Sequence, residues 1–370
     1  MTSEAATEAT LAAAEATLAA SGSVDPTAPS FVRPYPPSWV NQVLDWLERL
    51  PGPTWLAYLA LGGISIAGSV VATLSSPEAA QDLSFQVFWG IFQPLSLWLV
   101  GYLAAVAGSA LDAFRPALEA TAAETARIRY ELTVIPARPA AIILALTAIL
   151  TPVYYVADPA GSLVVGLSPL GITLRYVGET LFGALLIVLV YHSVRQLRAV
   201  SRIHDQATRV DLFRPAPLYA FSTLTSRTAI VIALVFLIPT MVAISQGNGQ
   251  QAWWVWMPYV VAGIVAAVAV FVLPLQGAQR RIVAEKARLE AEVGHRLETT
   301  IDAVHRAIDT GDLTQVDSLN KTLATLMVER DLVRHMPTWP WQPGTIGAVV
   351  SAIVLPMGIW LATRILERLV

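Results

Sequence analysis

Two charges stand inside an otherwise apolar run at a spacing that could do chemistry: Arg175 and Glu179, with Tyr176 between them. Four residues apart on a helix, they share one face. Charges in a lipid-crossing segment are costly, so they face the bundle interior or a water-filled cavity. Tyr154 and Tyr155, at the end of the preceding apolar run, fall at a similar depth. Tyr154, Tyr155, Arg175, Tyr176 and Glu179 therefore predict an outward-facing polar pocket that holds a small-molecule ligand through fixed charges and hydroxyls. A plain ion pair at the interface is the alternative, because both charges lie within about two turns of the outer surface.

Catalytic chemistry has little else to use. His192, His204, His295, His305 and His335 are scattered, with no two at metal-ligand spacing beside a carboxylate on the same face. His204-Asp205, with Asp211 beyond, has the outline of a metal-dependent hydrolase dyad but lacks a second histidine cluster. The chain has no phosphate loop, nucleophile elbow or dinucleotide fingerprint. It has no cysteine, which excludes disulfides and thiolate metal sites. The expectation is no catalytic residue, no metal and no cofactor. No nucleic-acid partner is expected either, because the basic residues follow membrane sidedness and their aromatic neighbours suit an interface.

The elements that must position these residues are membrane helices. With 55% hydrophobic and 14% charged residues and a mean hydropathy of +0.57, the composition is that of a polytopic protein of the cell membrane, its main partner the lipid bilayer. Lysine is confined to Lys286 and Lys321 while arginine is abundant, a bias that suggests a GC-rich prokaryotic genome. Apolar runs able to cross a hydrocarbon layer of ~30 Å occur at 55–74, 87–111, 139–157, 172–194, 228–246, 253–275 and 345–366. The intervening loops alternate in charge. Residues 112–138 carry Arg115, Arg127, Arg129 and Arg138, residues 195–227 carry six arginines, and 277–336 carry nine basic residues. Loops 75–86, 158–171 and 247–252 carry none. By the positive-inside rule the N-terminus is cytoplasmic and the C-terminus outside. Arg364 and Arg368 then snorkel to headgroups beside Glu367; a re-entrant final helix is the alternative.

The fold class expected is all-α, with seven transmembrane helices and helical extensions into the cytoplasm. Residues 1–34 form a low-complexity Ala/Thr/Glu tail containing EATLAAAEATLAA, read as disordered and without signal-peptide features. Residues 35–52 predict an interfacial helix capped by Ser38, with Trp39, Val43, Trp46, Leu47 and Leu50 as its greasy stripe. A six-helix bundle spans 53–276. Arg195, Arg198, Arg202 and Arg209 share a face of the prolonged fourth crossing, either as a solvated stripe near anionic headgroups or as a dock for glutamates of the segment that follows. The apolar residues opposite, Val194, Leu197, Val200 and Ile203, are expected against that same segment.

That segment, 277–336, predicts a cytoplasmic antiparallel hairpin. Its first limb places Ile282, Leu289, Val293, Leu297, Ile301, Val304 and Ile308 at helical spacing, and the second repeats the pattern with Leu313, Val316, Leu319, Leu323, Leu326, Met327 and Val333. Gly311 suits a left-handed position at the turn, and Asp312 a cap. Pro337, Pro340 and Pro343 close it, and 337–370 hold the final helix. Small residues recur there at four-residue spacing, and Gly347, Ser351, Pro356 and Gly358 could line an oligomeric pore with Pro356 as hinge; packing inside one subunit is the alternative.

This order of parts resembles the seven-transmembrane ion channel superfamily of insect odorant and gustatory receptors. The likeness covers 37–370 as topology; the final helix, GTIGAVVSAIVLPMGIW, does not carry that family's Thr-Tyr…Gln-Phe signature. The resemblance implies a homotetramer with a cytoplasmic helical anchor, a cation pore lined by the last helix and an outer ligand pocket. Two other classes fit the same pattern: a non-conducting receptor or scaffold that uses the hairpin for interactions, and a small-molecule transporter.

Overall fold

Where lipid replaces water, every backbone N–H and C=O must be paired within the protein, which leaves helices as the element for long apolar runs. The computed structural model describes residues 32–74, 83–118, 120–157, 159, 164–206, 216–246, 257–311, 313–341 and 344–369, and among them there are eleven α-helices and no strand. They are α1 (Trp39–Glu48), α2 (Thr54–Leu74), α3 (Leu83–Phe114), α4 (Ala122–Thr133), α5 (Ala137–Ala157), α6 (Pro169–Gln206), α7 (Ala216–Gln246), α8 (Met257–Val272), α9 (Gln276–Asp309), α10 (Leu313–His335) and α11 (Thr345–Leu369). Seven stretches are long and apolar enough to cross a membrane: Thr54–Ala72, Val87–Phe114, Ala137–Ala157, Pro169–Ile203, Tyr219–Val242, Met257–Asp309 and Thr345–Ala362. The chain is an all-α membrane protein. Almost all of the tail expected at 1–34 lies outside the described residues, as do Arg209, Asp211 and Asp312.

The bundle is arranged around α7 and α3. In their apolar windows 67% and 56% of residues are buried, against 6% in α2 and 11% in α11. α2 lies on α3, α5 on α6, and α8 and α11 both lie on α7. Two glycines allow the closest approaches: a Cβ on Gly90 would meet the Ile66 backbone at 3.0 Å, and one on Gly263 would meet Phe236 Cβ at 2.6 Å. Pro94, Pro152, Pro239 and Pro356 sit inside helices. Pro258 and Pro274 do not break one: Pro258 is at the first turn of α8, and Pro274 lies in the single 3-10 turn Leu273–Leu275 that joins α8 to α9.

α1 is packed on the bundle, against α2, α3 and α5. The Ser38 N–H donates to the Ile135 carbonyl at 2.9 Å, Ala137 N–H to Pro36 at 3.1 Å, and Trp39 Nε1–H to Ala140 at 3.2 Å. The covered edge of the helix is Val40, Leu44 and Leu47, which belong to one buried cluster with Phe92, Leu97, Val188 and Val235. Of the expected stripe, Leu47 is buried and Trp39, Val43 and Leu50 pack partly buried against the same cluster, while Trp46 is 58% exposed. Tyr35 completes the clamp. Its hydroxyl lies within hydrogen-bond reach of the Tyr130 and Val134 carbonyls, accepts from Arg195, and has the Arg195 guanidinium 4.6 Å above its ring.

The arginine stripe also finds nearer partners than expected. Arg195 donates to the Val134 carbonyl at 2.9 Å, and Arg202 pairs with Glu131 of α4 at 3.3 Å. Glutamates of α9 pair instead within their own helix, Glu285 with Arg288 and Glu292 with Arg296. On the opposite flank of α6, Leu197 is buried and Val200 and Ile203 share a cluster with Leu111, Leu132, Phe221 and Leu275, while α6 also touches α9. Val194 is exposed.

α9 and α10 run along each other through Val293, Leu297, Leu323 and Leu326, and Gly311 turns the chain at φ +74. Lys286 Nζ donates to the Arg334 carbonyl at 2.6 Å and to Met336 at 2.9 Å, which caps the end of α10. The seam is narrower than the periodicity suggests. Ile301, Ile308 and Met327 of the expected apolar faces are exposed, as are Val328 and Leu332. Two helices cover only one edge of each other, so the flanks stay open.

Two outcomes follow. Lys286→Met keeps the aliphatic stem and loses the cap, so the C-terminal turn of α10 exchanges amide hydrogen faster, at a cost of about 1 kcal/mol; hydrogen-exchange mass spectrometry of 328–336 reads it. Tyr35→Phe lowers unfolding stability by about 1 kcal/mol. Burial raises the Tyr35 phenol above 10.0 despite Arg195, so the stability it confers is present below that pH and lost as pH climbs through the raised folded value. Thermal melting from pH 8 to 11 in detergent should show the slope in wild type and lose it in Tyr35→Phe.

Candidate functional site

Ser168 begins α6: its Oγ accepts from the Gly171 N–H at 3.1 Å and its carbonyl from Ile172 at 2.9 Å. Two turns on, the helix presents the charge pair. Arg175 Nε donates to Glu179 Oε1 at 2.8 Å, and Tyr155 of α5 donates its hydroxyl to Glu179 Oε2 at 2.7 Å. The guanidinium side chain is 12% exposed and the carboxylate side chain 36%. One oxygen thus serves the ion pair and the other serves the neighbouring helix.

The same seam continues along α5 and α6. Tyr176 donates to the Ala148 carbonyl at 3.0 Å, Thr180 Oγ1 lies 3.3 Å from Thr151 Oγ1, and from α3 Gln93 Nε2 donates to the Gly178 carbonyl at 2.7 Å. Of the five residues expected to wall a pocket, Tyr155, Arg175 and Glu179 form one hydrogen-bonded group. The Tyr176 hydroxyl is spent on backbone, and Tyr154 is 46% exposed, its ring 6.3 Å from that of Tyr155. A carboxylate has about four lone-pair sites. Glu179 uses two here, so its accessible side can accept from a further donor or a cation.

No family model, curated protein or solved structure matches this chain. Function must be read from the residues alone. Among the described residues, no three His, Asp or Glu side chains gather as metal ligands.

The expected pore residues lie on α11, which touches α7 and α8 along one edge through Val349 and Ile353, against Ala229 and Phe271. Gly347, Ser351 and Gly358 are exposed and Pro356 is half-buried. A Cβ built on Gly347 or Gly358 would meet no atom within 4 Å. Their small size is therefore not used for packing within the subunit.

Sequence reasoning missed two polar groups. Arg227 of α7 donates to the Tyr102 hydroxyl of α3 at 2.6 Å. His192, Ser193 and Gln196 of α6 are fully covered. The signal for the second was present: His192 and Gln196 are an i,i+4 polar pair that interrupts an apolar stretch, the pattern that singled out Arg175 and Glu179.

The charge pair carries its own test. Glu179→Gln leaves a nearly covered guanidinium without its countercharge and lowers stability by about 1–2 kcal/mol, reduced from the fully buried case because the carboxylate is partly solvated. Arg175→Met with Glu179→Gln removes both charges and costs less than Glu179→Gln alone. A double-mutant cycle on melting temperature reads the coupling.

Proposed function

We propose that this protein is a homo-oligomeric ion channel of the cell membrane, with the N-terminus and the α9–α10 hairpin in the cytoplasm and the C-terminus outside. The pore passes cations and is lined by α11, with Gly347, Ser351, Pro356 and Gly358 toward the axis. The resemblance to the insect receptor channels supports a tetramer. The observation that carries the reading is the open flank of α11: an apolar helix that leans on its own subunit along a single edge and keeps its small residues free of intrasubunit contact. Small residues let helices of neighbouring copies approach closely. Continuity of α8 into α9 through one short turn supports gating, since movement of the hairpin is transmitted to a membrane helix as a rod. The group at Tyr155, Arg175 and Glu179, with Tyr154 and Tyr176 beside it, is the ligand pocket of this reading.

A receptor or scaffold that conducts nothing is the second reading, and the exposed Met327, Val328 and Leu332 of α10 favour it, because they offer the hairpin to another protein. Transport has less support: Pro94, Pro152, Pro239 and Pro356 all lie within continuous helices, whereas transporter sites are built from broken ones.

Purified protein in planar bilayers, with its oligomer mass measured, decides among these. The channel reading expects an oligomer and a current, with Gly358→Trp cutting the current several-fold while the protomer keeps its melting temperature. A monomer without current rejects it.

A further inference from the structure

Arg227 of α7 is a charge that the channel reading does not use. Arg129, Arg175 and Arg202 are each countered by a carboxylate, from Asp112, Glu179 and Glu131. Arg227 lies exposed in the span Tyr219–Val242, and among the described residues its partner is neutral: Nη1 donates to the Tyr102 hydroxyl of α3 at 2.6 Å. The guanidinium carbon is 5.6 Å from the centre of the Tyr102 ring, and the Trp98 ring stacks on that ring at 5.2 Å and 16°. Trp98 is 44% exposed. The three side chains form one accessible patch across the α3–α7 contact.

Neighbouring bonds give the depth of this patch. Gln196 Nε2 donates to the Leu132 carbonyl at 2.8 Å and lies 3.5 Å from that of Leu103, so Tyr102 is level with the residues just before α5. α5 is a span of 21 residues, about 31 Å long, and its start therefore marks one face of the hydrocarbon layer. Going back along α3, Gln93 meets Gly178 inside the α6 crossing. Trp98 is thus one turn further into the lipid, while Tyr102 and Arg227 stand at the headgroup boundary, where aromatic belts form.

A charge on the lipid side of a span is costly unless something counters it. Arg227 has further N–H donors beyond the one given to Tyr102, and the Tyr102 oxygen, which accepts from Arg227, still carries a proton to give. Donors this close suit neighbouring oxygens of one phosphate group, the partner that a guanidinium fork fits. The surrounding stretch favours a net negative ligand, because residues 195–227 hold six arginines against Asp205 and Asp211.

We propose that Arg227, Tyr102 and Trp98 form a binding site for the headgroup of an anionic phospholipid. Arg227 and Tyr102 donate to its phosphate oxygens, and Trp98 flanks the lipid just below. A lipid held there bridges α3 and α7, the two helices at the centre of the bundle. The site stands whether or not the protein conducts.

Native mass spectrometry of delipidated full-length protein, given phosphatidylglycerol or phosphatidylcholine with the same acyl chains, tests it. Wild type is expected to retain phosphatidylglycerol several-fold better. Equal retention of the two lipids, the outcome for an arginine that only snorkels to water, overturns the proposal. Arg227→Gln is expected to abolish the preference and Tyr102→Phe, which keeps the ring and the charge, to reduce it; melting temperatures without lipid show whether the variants are folded. A wild-type preference in both folded variants overturns the proposal, and if Arg227→Gln does not fold, Tyr102→Phe decides alone. An excess of inorganic phosphate is expected to leave the lipid bound; displacement by it assigns the site to a free anion and overturns the lipid assignment.

Discussion

Polar groups in a lipid-crossing bundle have nowhere to go but to one another, and that constraint organises the molecule. It forces the backbone into helices, and it then governs each polar side chain inside the spans. Most solve the problem locally, as the serines and threonines do when they bond back to their own helix. The rest bond across helices, and those cross-helix bonds give the bundle its specific arrangement: Gln93 to the backbone of α6, Tyr155 to Glu179, Tyr176 to Ala148, Arg227 to Tyr102 and Gln196 to Leu132. Association of apolar helices within lipid gains little from the hydrophobic effect. A handful of polar contacts can therefore decide which helix lies beside which.

α6 collects most of these contacts. It binds α5 through its N-terminal half, α3 and α4 through Gln196, and the N-terminal clamp through Arg195. The polar groups fall into two stations, the Arg175–Glu179 group and the His192–Gln196 group, separated by a plug of Ala184, Leu185, Val188 and Leu189, all buried. The helix is thus a rigid spacer between two polar stations rather than the wall of a continuous polar path. Adjacent to it, α8 and α9 form a second rod through one 3-10 turn, so the membrane bundle and the hairpin are mechanically one piece on that side.

Much of this was legible in the sequence because it depends on composition and period. Long apolar runs can only be helices in lipid, so the seven crossings were readable, although the fifth starts earlier, at Tyr219, and the fourth and sixth run on to Ile203 and Asp309. The hairpin limbs and the Gly311 turn follow from local rules. The Arg175–Glu179 pair was readable because i,i+4 spacing fixes a shared face whatever the tertiary structure. Its bond to Tyr155 was readable only as similar depth. What could not be read was helix roll. In the stripe assigned to α1, Trp46 alone stays outside, and bonds to Ile135 and Ala140, about a hundred residues away, help set which edge faces the bundle. The contacts of Arg195 and Arg202 with Val134, Tyr35 and Glu131, in place of the glutamate dock that was one of two readings of the stripe, were unreadable for the same reason: nothing local in α6 encodes that α4 and the Tyr35 segment come near.

The two open apolar surfaces do not carry equal weight. On α11 an exposed Val350, Val354 or Leu355 costs nothing in lipid, where a hydrocarbon tail is as good a neighbour as a leucine. That face therefore permits association without demanding it. α10 is different on the sidedness proposed here. Met327, Val328 and Leu332 are each about 60% exposed, and in water each forfeits about 1 kcal/mol that burial would recover. On the proposed channel reading, the drive to associate comes from the hairpin, and the geometry that decides what association produces comes from α11. Copies held together by their hairpins would bring their α11 helices near a common axis only if the α8–α9 rods hold the two surfaces in fixed register, which is what a single 3-10 turn with no intervening loop provides.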